Sequence, residues 1–285
     1  MKTAPTSTLV LSEQSGVLSV LLSRPEARNA MSLDMVRELS SVLASAETRD
    51  DLRVVVLRGA GGHFCAGADI KDLLRARSEP KTTTRDPVAE TNAAFGHLCV
   101  AFARLSLPTV CVLEGSVLGG GFGLACAADI ALADETASFG LPETSLGVVP
   151  AQIAPFLLER LGFSQAKRLA LMGGKVSAQE AYAIGLVHEL HASGPALEQA
   201  LDKLLARLLR CAPGATRVTK QLMLRARESS AESLIEHAAQ VFSAQLSSGE
   251  GAEGTLAFVE KRAPAWSTPG SPAQSTASST QRSDG

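Results

Sequence analysis

The chain lacks a charge excess of either sign: 27 Lys and Arg stand against 29 Asp and Glu, for a net charge of −2. That balance removes the global attraction that nucleic acid or an anionic membrane would exert, so neither partner is expected. Also missing is any uncharged apolar run of about 18 residues, which excludes an ordinary membrane-spanning helix. Cysteines are few, 5 in 285 residues, and show no CxxC spacing. An odd, scattered set (Cys65, Cys99, Cys111, Cys126, Cys211) reads as reduced thiols, and the expected compartment is the cytoplasm. Met1 to Ser12 has no long apolar core followed by a small-residue cleavage site, so no secretory signal is expected.

Several motifs are absent by one residue. Gly119-Gly120-Gly121-Phe122-Gly123 is followed by Leu124, so the third glycine of a dinucleotide fingerprint is missing. Val176 follows Gly173-Gly174-Lys175, leaving no hydroxyl for a phosphate-loop magnesium. Gly162-Phe163-Ser164-Gln165-Ala166 lacks the last glycine of a nucleophile elbow. His188 and His191 stand without an HExxH frame, and no metal site is expected.

What is present is a globular composition, with 45% apolar and 20% charged residues over a length sufficient for a large core. Thr8 to Ser12 and Gly16 to Ser23 read as a hairpin. Ser32 is a candidate cap for a helix whose apolar residues Met35, Val36, Leu39, Val42, Leu43 and Ala46 recur at helical spacing. A buried-type strand, Arg53 to Arg58, leads into the loop Gly61 to Asp69. After a polar stretch from Arg75 to Arg85 that reads as mobile, the order repeats. Pro87 to Leu105 is helical, Thr109 to Leu113 a strand, Leu124 to Ala127 a short helix opened by the glycine run, and Asp129 to Ala133 a strand. Repeated strand-loop-helix units give an α/β class with functional loops at strand ends. From Ala151 on, the pattern is helical: Ile153–Leu161, Ser164–Met172, Ser177–Ile184, Pro195–Leu209, Thr216–Arg227 and Ala231–Leu246. The last of these carries the stripe Leu234, Ile235, Ala238, Val241, Phe242 and Leu246, broad enough to serve a core or an interface. Trp266 to Gly285 is Ser, Thr, Pro, Gly and Gln without apolar period, a disordered tail.

Two segments set glycines among small residues beside strand ends: His63 to Lys71 and Gly115 to Gly123. Each alone reads as a tight turn with close packing. Together, they offer backbone N–H groups that a ligand can approach, the raw material of an oxyanion hole. Glu143, set in Phe139-Gly140-Leu141-Pro142-Glu143, is either an exposed loop acid or a desolvated proton shuttle. Gln152 is either a surface or capping amide or a group that orients water or a second substrate carboxylate.

The ordered set Ser23-Arg24-Pro25-Glu26-Ala27-Arg28-Asn29-Ala30-Met31-Ser32, Phe64 to Lys71, Leu118-Gly119-Gly120-Gly121 and Phe139 to Glu143 resembles the crotonase (enoyl-CoA hydratase/isomerase) superfamily over residues 8 to 266. The resemblance implies a stacked ββα spiral core (1–195) holding the site, a C-terminal helical trimerisation region (196–265) ahead of the tail (266–285), and acyl-CoA as substrate with no separate cofactor. It places the thioester oxygen on the N–H groups of Ala68 and Gly120. CoA would lie along Ala66, Gly67, Asp69, Ile70 and Lys71, with Phe258 and Lys261 reaching it from the C-terminus. A homotrimer or a dimer of trimers is implied. Glu143 matches the second of two hydratase glutamates; the first, in a Gly-Gly-Gly-x-Glu frame, is replaced by Gly123.

Counting carboxylates favours an isomerase, which needs one proton shuttle. The strings Asn29-Ala30-Met31-Ser32, Phe139 to Gly147, Pro150 to Phe156 and Arg210-Cys211-Ala212-Pro213 most resemble the isohexenylglutaconyl-CoA hydratases of acyclic terpene degradation. They imply water addition to a branched glutaconyl-type thioester. A non-catalytic acyl-CoA binder is the third reading, given the glutamate lost at Gly123.

Overall fold

The computed structural model describes residues 8–267. Strands β1 (Leu9–Gln14) and β2 (Val17–Leu22) form the expected hairpin. The Ser32 hydroxyl accepts the Met35 N–H and starts α1 (Leu33–Glu47), after which β3 (Val54–Gly59) pairs parallel to β2. Helix α2 (Ile70–Ser78) occupies the front of the stretch read from sequence as mobile. Its start is fixed because the Asp69 carboxylate accepts the Lys71 N–H, a cap that the surrounding small residues conceal. Next come α3 (Pro87–Arg104), β4 (Thr109–Leu113), β5 (Ser116–Leu118), α4 (Gly120–Ala127), β6 (Ile130–Asp134) and β7 (Ser138–Gly140). Helix α5 (Ala154–Met172) joins two segments read as separate helices, bending at Gly162 (φ 68°, ψ 162°). Then follow β8 (Lys175–Ser177), α6 (Ala178–Ala183), β9 (Glu189–His191), α7 (Pro195–Leu209), α8 (Pro213–Arg227), α9 (Ala231–Leu246) and α10 (Gly249–Val259).

The strands make two sheets, ordered β1-β2-β3-β4-β6-β9 and β5-β7-β8. Each turn of chain gives one strand to the large sheet, then one to the small sheet, then a helix: β4, β5, α4, then β6, β7, α5. The preceding turn does the same through Cys65, which bridges Val117 of β5. That repetition is a stacked ββα spiral. Alternation along β3 sends Val55 and Leu57 into the spiral core, and Val54 and Val56 to the other face against Leu197 and Leu204 of α7. Trp266 and Ser267, the first residues of the segment read as tail, lie in a short 3₁₀ turn, while residues 268–285 lie outside the described residues.

Candidate functional site

The loop Ala66–Asp69 is held by the preceding Arg24–Ser32 segment. Asn29 is buried in the left-handed region (φ 56°), a conformation asparagine tolerates better than most residues. Its Oδ1 accepts the Arg24 N–H (2.9 Å), and its Nδ2 donates to the carbonyls of Ala60 (2.9 Å) and His63 (2.7 Å). Arg24 Nη2 donates to Asp69 Oδ2 at 2.8 Å. Burial pushes the Asp69 carboxyl up, but the Arg24 hydrogen bond and the Lys71 N–H outweigh it and hold it below the usual carboxylate range. Met31 N–H donates to the Gly67 carbonyl (2.8 Å), and Asp69 N–H donates to the Met31 carbonyl (3.0 Å). This parallel bridge passes over residue 68, so among the described residues the Ala68 N–H is left without a hydrogen bond.

A second free donor lies opposite. Gly119 adopts φ 50°, ψ −115°, and its N–H donates to the Gly140 carbonyl (2.9 Å). Gly120 then opens α4, where no residue one turn earlier takes its N–H. The helix is buried all round from Gly121 to Ala127, which fixes its axis and its first turn. Ala68 and Gly120 line one cavity, together with Met31, Val36, Leu73 and Phe95. The Phe95 ring covers Gly120 so closely that a Cβ there would lie 2.9 Å from Cζ.

Glu143 follows β7 through Leu141 and Pro142 and lies against Gly119, next to Gly120, without lining that cavity. A Cβ on Gly119 would stand 3.1 Å from Glu143 Oε1 and 3.6 Å from Gly67 Cα, so three separate loops converge where only glycine fits. Glu143 Oε2 is buried with no hydrogen-bond partner among the described residues. Burial raises its pKa above the ordinary carboxylate value, opposed only by its own backbone N–H. A partly dehydrated carboxyl without a cation is suited to picking up and releasing a proton.

At residue 123, where the resemblance implies a first hydratase glutamate, the space is taken by an apolar side chain: a Cβ there would fall 2.1 Å from Ile153 Cγ2. Gln152 does not line the cavity. Its Nε2 donates to Asn92 Oδ1 (2.7 Å), and it is Asn92, on α3, that faces the cavity beside Phe95. Sequence reading passed over Asn92, Phe95 and Ile153; the visible signal was Gly96, a glycine inside a helical pattern. Of the positions tied to CoA, Ile70 and Lys71 are exposed on the first turn of α2. Phe258 is 85% exposed near the end of α10, and Lys261 (φ 53°) lies just beyond; neither lines the cavity.

Comparison with known proteins bears on the family and the fold. The family model described as enoyl-CoA hydratase/isomerase matches residues 12–269. The chain is 32% identical over 259 residues to 2,3-dehydroadipyl-CoA hydratase of Escherichia coli, covering 90% of this chain and 98% of that protein. Among solved structures, Pseudomonas aeruginosa AtuE is 48% identical with a TM-score of 0.89, over 92% of this chain and 100% of its own. An enoyl-CoA hydratase/isomerase from Marinobacter aquaeolei is 47% identical, also at a TM-score of 0.89, over 92% and 99% of the two chains. Relatives, fold and ordered motifs agree: this chain belongs to the enoyl-CoA hydratase/isomerase family, and it is an enzyme of the enoyl-CoA hydratase type acting on acyl-CoA.

Proposed function

We propose that the protein adds water across the α,β double bond of a branched, glutaconyl-type CoA thioester, isohexenylglutaconyl-CoA or 3-methylglutaconyl-CoA, with Glu143 as its one proton carrier. The observation that carries this reading is that two N–H donors unpaired among the described residues, Ala68 and Gly120, line one cavity, and that Glu143, whose Oε2 has no partner among those residues, approaches the neighbouring Gly119. A thioester oxygen placed between the two donors gains stabilisation as it becomes an enolate, of the order of ~3 kcal/mol per donor. Glu143 accepts a proton from water as the oxygen adds to C3, then returns that proton to C2 of the enolate. The cycle closes with one water added and the carboxylate restored. A raised pKa serves both halves, since the group must be a base in the first and an acid in the second. The chemistry draws on no cofactor beyond the CoA of the substrate.

The substrate class rests on the strings shared with isohexenylglutaconyl-CoA hydratases. A relative named for dehydroadipyl-CoA, itself a thioester with a second carboxylate, supports it. The loop Ala66–Lys71 carries the CoA, and Phe258 and Lys261 reach it from the C-terminal helices in a cytoplasmic homotrimer or dimer of trimers. Isomerisation is the second reading, favoured by the Ile153 methyl that closes off residue 123 and leaves one carboxylate. Incubation with isohexenylglutaconyl-, 3-methylglutaconyl-, crotonyl- and a 3-enoyl-CoA, with products weighed by mass spectrometry, separates them. Gain of one water supports the hydratase; unchanged mass with a moved double bond supports the isomerase; no turnover of any supports a binder.

A further inference from the structure

Gly96 lies buried in the middle of α3, where glycine costs a helix about 1 kcal/mol against alanine. Its missing side chain is what admits Gln152: a Cβ at 96 would fall 2.1 Å from Gln152 Oε1 and 2.7 Å from its Cδ. One turn earlier on the same face, Asn92 Oδ1 accepts the Gln152 Nε2–H at 2.7 Å. The seat therefore has three parts, a glycine that makes room, a glutamine lodged in it, and an asparagine oriented by the glutamine. With its oxygen so engaged, Asn92 keeps its Nδ2, a donor with no hydrogen bond among the described residues, on the cavity that also holds Ala68 and Gly120.

We propose that Asn92 is a specificity residue whose Nδ2 donates to a carboxylate on the acyl chain beyond the reacting carbons, with Gln152 and Gly96 as the residues that position it. The proposal rests on the glutaconyl-type reading above and assigns the recognition of its second carboxylate. Two aspartates share the cavity, but each is engaged: Asp69 by Arg24 at 2.8 Å, and Asp72 by the Leu33 N–H at 2.8 Å and Arg75 at 3.4 Å. Thr91 also lines the cavity, its hydroxyl donating to the Pro87 carbonyl (2.9 Å), and Met31, Leu33, Val36, Leu73 and Phe95 supply apolar wall that suits a hydrocarbon branch. One unengaged side-chain donor beside apolar wall sorts two unlike substituents on C3 to opposite sides, since an amide donor left unpaired against hydrocarbon is penalised.

The test measures binding without turnover. Saturated 3-methylglutaryl-CoA and isovaleryl-CoA share the branch and differ in the terminal carboxylate; their Kd values are compared by calorimetry. The parent is expected to prefer the dicarboxylic thioester at least tenfold. Asn92→Leu loses that preference. Gly96→Ala, which favours the helix and so keeps the fold, loses it as well by expelling Gln152. A parent ratio near one, or an unchanged ratio in either variant, overturns the proposal. If the preference is present while no enoyl-CoA gains water, the hydratase reading fails and this one stands.

Discussion

The spiral core and the helices α8 and α9 are held by opposite means. In the core, β4 is buried at every residue and α4 at all but its first, so the loops that carry Ala68, Gly120 and Glu143 hang from apolar packing on both sides. Helices α8 and α9 bury no residue fully. Polar pins fasten α8 instead: Arg217 donates to the Arg49 carbonyl and Ser106 Oγ (both 2.6 Å), and Lys220 donates to Asp129 Oδ2 (2.6 Å) and the Leu107 carbonyl (3.0 Å). Glu250 of α10 accepts the Gly214 and Ala215 N–H groups at the start of α8. Meanwhile Met223, Ile235, Phe242 and Leu246 remain exposed, Phe242 at 69%. Rigid apolar packing fixes donor positions to fractions of an ångström, which a transition state needs. Polar docking that leaves apolar surface bare suits a region completed by other copies of the chain.

The comparison breaks most sharply at Glu143. Glu143→Gln preserves shape and removes the transferable proton, so turnover should fall about 10³-fold with acyl-CoA binding and the mass in solution unchanged; steady-state kinetics beside calorimetry and light scattering read all three. A changed mass in that variant would mean that the two regions are not independent.

Phe242→Glu probes the other region. Exposed in a single chain, the substitution costs a monomer little, but under a neighbouring copy it removes about 2 to 4 kcal/mol of association. Sedimentation should show a smaller species with unchanged far-ultraviolet dichroism; an undiminished mass would remove Phe242 from any interface.

A smaller effect sharpens the reading of residue 123. Gly123→Ala alone drives its Cβ into Ile153 Cγ2 and should destabilise by about 1 to 3 kcal/mol in denaturant titration. Ile153→Gly removes a buried side chain and is costly by itself, but added to it Gly123→Ala should cost less than about 0.5 kcal/mol more. An equal cost of Gly123→Ala in both backgrounds would mean that Ile153 does not fill that space.

The smallest expected effect is a gain. Burial raises the Glu143 pKa in the folded protein, so the protonated form is favoured by folding and the stability it contributes is lost as pH rises through the folded pKa. Glu143→Gln should therefore have a higher Tm than the parent at pH 8, the difference shrinking toward pH 4. A lower Tm for the variant at pH 8 would show that the carboxylate is paired.

How much of this was legible in the sequence follows from how local each signal is. Helices α1, α7 and α9 were readable because a cap or proline marks the start and an apolar stripe the length. Strands β5 and β7, three residues each, are too short for any period to show, yet they carry the glycines and the approach to Glu143. Ala68 was identified by its resemblance, while the reason its N–H is free lies in the Met31 bridge, a register no sequence window contains. Gln152 was singled out as an amide near Glu143 along the chain, but its contact is with Asn92, 60 residues earlier. Gly96 and Gly123 are glycines inside helices, and only the fold shows that Gln152 and Ile153 occupy the space beside them.

The central claim is that one carboxylate, Glu143, completes a hydration. The direct measurement is reaction of 3-methylglutaconyl-CoA in water enriched in heavy oxygen, with the product thioester analysed by mass spectrometry. The account predicts gain of one labelled water, its oxygen on C3, in the parent and no product with Glu143→Gln. An unlabelled product of unchanged mass with a shifted double bond, or equal hydration by Glu143→Gln, would contradict it.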